Sequence, residues 1–93
     1  MKVAIRQSAF ADLERIFNWI AKDSPANARS VAKRIQDAIS DNLVPYPYIG
    51  RSGRRPGTRE WIVAGLPYIV VYEVDDARDL ITVFSVIHAK QNR

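Results

Sequence analysis

Three short runs between Gly57 and His88 decide the fold of this chain: residues 57–64 (GTREWIVA), 67–74 (PYIVVYEV) and 80–88 (LITVFSVIH). β-Branched and aromatic residues fill the runs, while glycine, proline and aspartate occupy the breaks, a pattern typical of strands separated by turns. Strands joined by such short breaks pair as antiparallel neighbours, because a parallel crossover needs about a dozen residues or more. The sequence therefore predicts a three-stranded antiparallel meander.

The predicted meander is apolar on both faces. Alternate side chains of a strand point to opposite faces, so Tyr68 and Tyr72 share one face. Ile69 and Val71 share the other face. In the last run the same alternation separates two apolar sets: Leu80, Phe84 and Val86 on one face, and Ile81, Val83 and Ile87 on the other. A sheet with one wet face alternates apolar with polar residues, so we expect both faces of this sheet to be covered.

The composition restricts the chemistry that the chain could perform. Its 93 residues are enough for one domain, 1–93, and its 47% hydrophobic content is ordinary for a soluble protein. There is no cysteine, which excludes disulfides, thiolate metal sites and a cysteine nucleophile. His88 is the only histidine, which disfavours a zinc site. With no apolar run of membrane-spanning length and no signal peptide, we expect a cytoplasmic protein without metal, cofactor or membrane partner.

Positive charge is concentrated in one segment. The formal net charge is +4, while the charge balance of the segment 73–79 is acidic. Between Pro45 and Glu60 the basic residues are Arg51, Arg54, Arg55 and Arg59. A local basic patch of this kind indicates a surface for an anionic partner.

The first half of the chain predicts a strand and two helices. Residues 2–6 alternate as a short strand, Ser8 is a candidate N-cap, and Asp12 lies near the positive end of the first helix. Ser24-Pro25 predicts the start of the second helix. The break before it is short, so the helices form an antiparallel hairpin, and each has one apolar stripe.

Pro45 and Pro47 end the second helix, and a loop follows as far as Gly57. The architecture is therefore α+β with two layers: β-α-α-β-β-β, an antiparallel helix hairpin packed on one face of a largely antiparallel sheet. The hairpin can cover only one face, so we expect the face with Ile69 and Val71 to be left for a partner chain. The aromatic residues predicted to pack internally are Trp19, Trp61, Tyr68 and Tyr72.

Several short motifs follow one another along nearly the whole chain: Ala11-Asp12-Leu13, Ile20-Ala21, Asp23-Ser24-Pro25-Ala26-Asn27-Ala28, Tyr46-Pro47, Gly50-Arg51, Gly57-Thr58-Arg59-Glu60, Pro67-Tyr68-Ile69-Val70-Val71-Tyr72 and Val86-Ile87-His88-Ala89. In this joint order and spacing the chain resembles the RelE/ParE superfamily, the toxins of bacterial type II toxin–antitoxin modules. The resemblance implies a small basic toxin that a co-expressed antitoxin neutralises by wrapping around it. It also implies that operator DNA is contacted chiefly through the antitoxin.

The resemblance implies two possible targets. ParE-like members poison DNA gyrase without known catalytic residues, whereas RelE-like members cut messenger RNA on the ribosome without metal. Nuclease members have an arginine at the position of Ile69, so this chain is closer to the ParE-like branch, with no catalytic residue implied. For the nuclease alternative, the candidate catalytic residues are Arg59, His88 and Glu60.

The residues expected to bind the target or the antitoxin form a basic patch and an apolar face: Arg51, Arg54, Arg55, Arg59 and Lys90, and Ile69 and Val71. Structural alternatives stay open, since the arginines could solubilise a loop and Arg59-Glu60 could be an exposed ion pair. A third hypothesis is a nucleic-acid-binding domain that uses the basic loop. It has less support, because aromatic and basic residues do not interleave as in base-stacking surfaces.

Overall fold

The computed structural model describes residues 1–91. The strands are β1 (Lys2–Ile5), β2 (Arg51–Ser52), β3 (Arg59–Ile62), β4 (Tyr68–Asp75) and β5 (Leu80–His88). The helices are α1 (Gln7–Ala21) and α2 (Pro25–Ala38), with a π-helical turn (Ile39–Leu43) after α2 and a 3₁₀ turn (Ala89–Gln91) after β5. The five strands form a sheet in the order β1-β5-β4-β3-β2.

The sheet has the predicted α+β arrangement with one added strand. β1 runs parallel to β5, and the other neighbouring strands are antiparallel. The parallel pair is possible because both helices lie in the connection between β1 and the meander. The added strand is β2, in the segment predicted to be a loop, where Arg51 pairs with Glu60 and Ser52 with Arg59.

Helix α1 begins earlier than predicted. Its N-cap is Arg6, which makes no side-chain capping bond, so the prediction of Ser8 as the cap is wrong. The reason is that the chain passes from β1 into the helix through a single residue. The Ser8 hydroxyl instead donates a 2.5 Å hydrogen bond to the carbonyl of Phe84 in β5. The helix dipole acts on charges in the first turn, and Asp12 lies beyond that turn.

Helix α2 begins as predicted. Ser24 is the N-cap and its hydroxyl accepts a 3.1 Å hydrogen bond from the backbone N–H of Asn27, while Pro25 occupies the first helical position. The apolar stripe of α2 continues into the π-helical turn, where Ile39 and Leu43 are buried beside Ile35. Pro45 follows immediately and prevents further helix.

The core lies between the helices and one face of the sheet. Fully buried strand residues on this face are Val70, Tyr72, Ile81, Val83 and Val86. Val83 and Val86 share the face because β5 has a bulge: Val71 pairs with Ser85, but Tyr72 pairs with Val83. The extra residue, Phe84, shifts the alternation by one position. The predictions that Val86 faces away from Ile81 and Val83, and that Ile87 shares their face, are therefore both wrong.

The opposite side of the sheet, here called the open face, carries Ile62, Ile69, Val71 and Ile87. Ile69 pairs with Ile62 and Ile87, whereas Val71 pairs with Glu60 and Ser85. The helices pack on the other side, against the core face. Ile62 is 54% exposed, and Val71 and Ile87 are partly exposed. Ile69 is only 7% exposed, and its pairing partners Ile62 and Ile87 flank it in the neighbouring strands. The exposed apolar area of the open face therefore belongs mainly to Ile62, Val71 and Ile87.

The two tryptophans differ in burial. Trp61 packs against the core as predicted. Trp19 is 70% exposed, so the prediction that it packs internally is wrong. It lies on the outward side of α1, where the ammonium of Lys22 sits 5.3 Å from the centre of its ring. None of the helices within residues 1–91 is long and apolar enough to cross a bilayer.

Candidate functional site

A trough of about 380 Å³ lies on the open face, bounded by one basic segment. Residues that line it include Arg54, Arg55, Glu60, Val71, Phe84 and Ile87. Its floor is apolar and belongs to β4 and β5, while exposed arginines form one wall. This open-face trough brings together part of the predicted basic patch and part of the predicted apolar face.

The wall is formed by the compact segment of residues 51–58, which begins with β2 and is here called the arginine loop. Its tip is a type II turn, in which the N–H of Thr58 donates to the carbonyl of Arg55 at 3.1 Å. Pro56 occupies the second position, and Gly57 has a φ of 84° at the third, where glycine is favoured. The Thr58 hydroxyl also donates to the Arg55 carbonyl at 2.8 Å, and Gly53 N–H donates to the Thr58 carbonyl at 2.8 Å.

Glu60 connects the arginine loop to the sheet. Its side chain is 7% exposed and points to the open face beside Val71. Its carboxylate accepts a 3.2 Å hydrogen bond from the backbone N–H of Arg54 and lies 3.5 Å from the guanidinium of Arg51. The sequence-based alternative of an exposed Arg59–Glu60 pair is wrong, because adjacent residues of a strand point to opposite faces.

Arg59 is turned away from the open face. It pairs with Tyr72, whose side chain is in the core, and its guanidinium donates a 2.8 Å hydrogen bond to the carbonyl of Gly50. The same guanidinium lies 4.8 Å from the centre of the Tyr48 ring. The Tyr48 hydroxyl donates to the carboxylate of Asp76, and this hydrogen bond raises the pKa of the phenol. Arg59 thus fixes the segment before β2.

Tyr72 fixes the same segment from inside the core. Its hydroxyl donates to the carbonyl of Pro47 at 2.7 Å and accepts from the N–H of Gly50 at 2.9 Å. Burial raises the pKa of the Tyr72 phenol, an effect that the hydrogen bond from Gly50 and the charge of Arg59 partly offset. The predicted core position of Tyr72 is confirmed, but sequence reasoning missed its polar contacts. The only signal for them was a phenol among aliphatic core residues.

His88 lies far from Arg59. It pairs with Tyr68, whose ring meets the imidazole edge-on at 5.6 Å between centres, and its Nδ1 accepts a 3.1 Å hydrogen bond from the N–H of Lys90. The partners of Arg59 and His88 in β4 are four residues apart, about 13 Å along a strand. The structure therefore does not bring Arg59 and His88 together, and it places Lys90 in an exposed turn after β5.

Metal-binding residues do not cluster in the part of the chain that the structure describes. Among residues 1–91 there is no group of three histidine, cysteine, aspartate or glutamate side chains that could hold an ion. The charged groups that line the trough are the guanidinium groups of Arg54 and Arg55 and the carboxylate of Glu60. Such groups can bind and orient a charged partner through hydrogen bonds and ion pairs.

The sequence model of the family described as "ParE toxin of type II toxin-antitoxin system, parDE" matches residues 3–93. The chain belongs to the ParE toxin family. A relative in this comparison is the protein Y4kP of Sinorhizobium fredii, which is 41% identical over 83 residues, or 89% of this chain and 82% of Y4kP.

Solved structures share the fold of this ParE-family toxin. The chromosomal ParDE toxin–antitoxin system from P. aeruginosa matches with a TM-score of 0.80 and 21% identity, covering 95% of each chain. The intact E. coli RelBE toxin–antitoxin complex matches with a TM-score of 0.66 and 16% identity, covering 91% of this chain and 92% of the other. These likenesses show a common fold, and the resemblance to the RelE/ParE superfamily is confirmed.

Proposed function

We propose that this toxin inhibits DNA gyrase by binding it without catalysis, and that a cognate antitoxin neutralises the toxin by covering the open face. One observation carries the choice of a non-catalytic mechanism. The three candidate nuclease residues, Arg59, Glu60 and His88, are each engaged in contacts within the fold, and they do not converge on one point. RNA cleavage by hydroxyl attack needs a proton acceptor, a proton donor and a cation around the same phosphate.

The proposed antitoxin surface rests on the character of the open face. Ile62, Val71 and Ile87 expose apolar area on the side of the sheet opposite the core, against which the helices pack. Patches of exposed apolar surface beside polar groups mark sites of protein interaction. Arg54 and Arg55 stand at the edge of this patch, so the partner that fits it is an acidic chain with apolar side chains.

Two observations support gyrase as the target. The family match covers residues 3–93, nearly the whole chain, and the family is that of ParE. Ile69 is aliphatic and packed between two other isoleucines, so it offers no positive charge where RelE-like nucleases have an arginine.

A paired assay tests this function. The purified chain is added to gyrase in a supercoiling assay, and the integrity of translated messages is followed after induction in cells without the antitoxin. We expect lost supercoiling, double-strand breaks and an SOS response, with intact messages. His88→Gln should remain fully toxic. Arg59→Lys keeps the positive charge beside Gly50 and Tyr48 and should also remain toxic.

Three results would contradict the proposal. Cuts within translated messages, together with unimpaired gyrase, would support the RelE-type endoribonuclease instead. Loss of toxicity in His88→Gln, with the same unfolding midpoint as the parent chain, would restore a catalytic role for His88. Binding to nucleic acid alone, with no effect on gyrase or messages, would favour the third hypothesis.

A further inference from the structure

The wall of the open-face trough is formed before any partner arrives. The turn at Arg55–Thr58, the Gly53–Thr58 bond and the Glu60–Arg54 bond all lie within the toxin itself. A loop held in this way loses little conformational freedom when it binds, so more of the contact energy appears as affinity. The side chains of Arg54 and Arg55 remain exposed on this fixed backbone.

We propose that the open-face trough is a preformed receptor for an acidic side chain of the antitoxin, and that Glu60 is the positioning residue that forms it. This inference rests on the proposed function and names the subsite within the open face. The occupant is an extended antitoxin segment in which a glutamate or aspartate stands next to an aliphatic residue. The carboxylate would meet Arg54 and Arg55, and the aliphatic side chain would lie on Val71 and Ile87.

The position of Glu60 allows it to organise arginines without blocking them. Its carboxylate bonds the backbone of Arg54 and not the end of that side chain. It also lies beside the guanidinium of Arg51, whose positive charge offsets the repulsion between Glu60 and an incoming carboxylate. The carboxylate is nearly buried, so an incoming chain meets the arginines first.

The test is a double-mutant cycle on the complex of this chain with its cognate antitoxin. The variants are Glu60→Ala, Glu60→Gln, Arg54→Ala/Arg55→Ala and the triple combination of Glu60→Ala with both arginine changes. We expect Glu60→Ala to weaken the complex by about tenfold, since one charge-assisted hydrogen bond is lost. Glu60→Gln keeps an oxygen that can accept from Arg54 and should stay close to the parent affinity. In the background without Arg54 and Arg55, Glu60→Ala should change the affinity little.

A second readout separates positioning from general stability. Amide hydrogen exchange at Gly53 and Arg54 should accelerate in Glu60→Ala, while exchange at Val70 and Tyr72 in the core stays slow. Because this is measured on the free toxin, it does not depend on the antitoxin. Glu60→Gln serves as the matched folded control if Glu60→Ala unfolds.

Three outcomes would overturn the inference. These are equal losses from Glu60→Ala with and without the two arginines, an unchanged affinity in Glu60→Ala, and unchanged amide exchange in the arginine loop. If the parent chain does not bind the antitoxin at all, the proposed function fails as well, which the first affinity measurement reveals.

Discussion

The backbone N–H of Val86 donates a 3.0 Å hydrogen bond to the carboxylate of Asp12. β1 ends at Ile5, which pairs with Val83, so within residues 1–91 no strand pairs with the later residues of β5 on that side. Helix α1 supplies the missing partners through side chains, with Ser8 donating to the Phe84 carbonyl. Unpaired strand edges invite association with other chains, and α1 satisfies this one within the fold.

Removing the Asp12 carboxylate should destabilise the toxin. Asp12→Ala leaves the N–H of Val86 without its acceptor, at a cost of about 1–3 kcal/mol in the free energy of unfolding. Urea unfolding followed by circular dichroism measures the change. The matched control is Arg15→Ala, which removes only the exposed partner of the same carboxylate and should cost less than about 1 kcal/mol. Equal losses in the two variants would show that Asp12 acts through its surface ion pair.

The buried hydroxyl of Tyr72 should contribute more to the free energy of unfolding than the exposed hydroxyl of Tyr48. Tyr72→Phe leaves the carbonyl of Pro47 and the N–H of Gly50 without their buried partner, a loss of about 1–3 kcal/mol. Amide exchange at Gly50 should accelerate in parallel. Tyr48→Phe removes a hydroxyl that binds Asp76 at the surface and should change stability by less than about 1 kcal/mol. A neutral Tyr72→Phe would mean that residues 47–50 are held by other contacts.

The raised pKa of Tyr72 predicts a loss of stability in alkali. In the unfolded chain the phenol loses its proton near the ordinary value of 10.0, whereas the folded chain retains it to higher pH. Above about pH 10 the unfolded state therefore binds fewer protons, and stability falls as pH rises through the folded pKa. The difference in unfolding free energy between the parent and Tyr72→Phe should be constant below about pH 10 and narrow above it. If the two curves of unfolding free energy against pH stay parallel above about pH 10, burial does not raise the pKa of Tyr72.

The two tryptophans should report opposite environments. Trp61→Phe leaves only Trp19, which is exposed, so the remaining emission should be red-shifted and readily quenched by acrylamide. Trp19→Phe leaves only Trp61, which packs against the core, and its emission should be bluer and protected. Steady-state fluorescence with quencher titration checks both. The reverse pattern would place Trp19 in the core, as its sequence position first indicated.

The sequence predicted the order of elements well, because local signals decide them. The Ser24-Pro25 start of α2 and the three strand runs of the meander depend on capping and alternation within a few residues. These local signals fail where the pairing between two strands decides which way a side chain faces. The bulge at Phe84 reversed the predicted facing of Val86, and nothing in the local composition of β5 marks an extra residue there.

The composition of the chain predicted where the basic loop lies, and the strand register corrected which side chains face the open face. The run of arginines identified the basic loop, but only strand pairing shows that Arg59 faces the core side while Glu60 faces the open face. The role of Asp12 was equally hidden, since it depends on β1 being shorter than β5. From sequence alone, a carboxylate on a helix indicates an interaction with the helix dipole or an ion pair. The residue that Asp12 contacts, Val86, lies 74 residues further along the chain.

Methyl NMR of the toxin with and without its antitoxin tests the central claim, that the open face is the surface left for the partner. Spectra of the isoleucine and valine methyl groups report both sides of the sheet in one measurement. We predict that the antitoxin shifts the signals of Ile62, Val71 and Ile87 while those of Ile35 and Ile81 in the core stay in place. Unchanged open-face signals, with shifts confined to the outward surfaces of α1 and α2, would contradict the account.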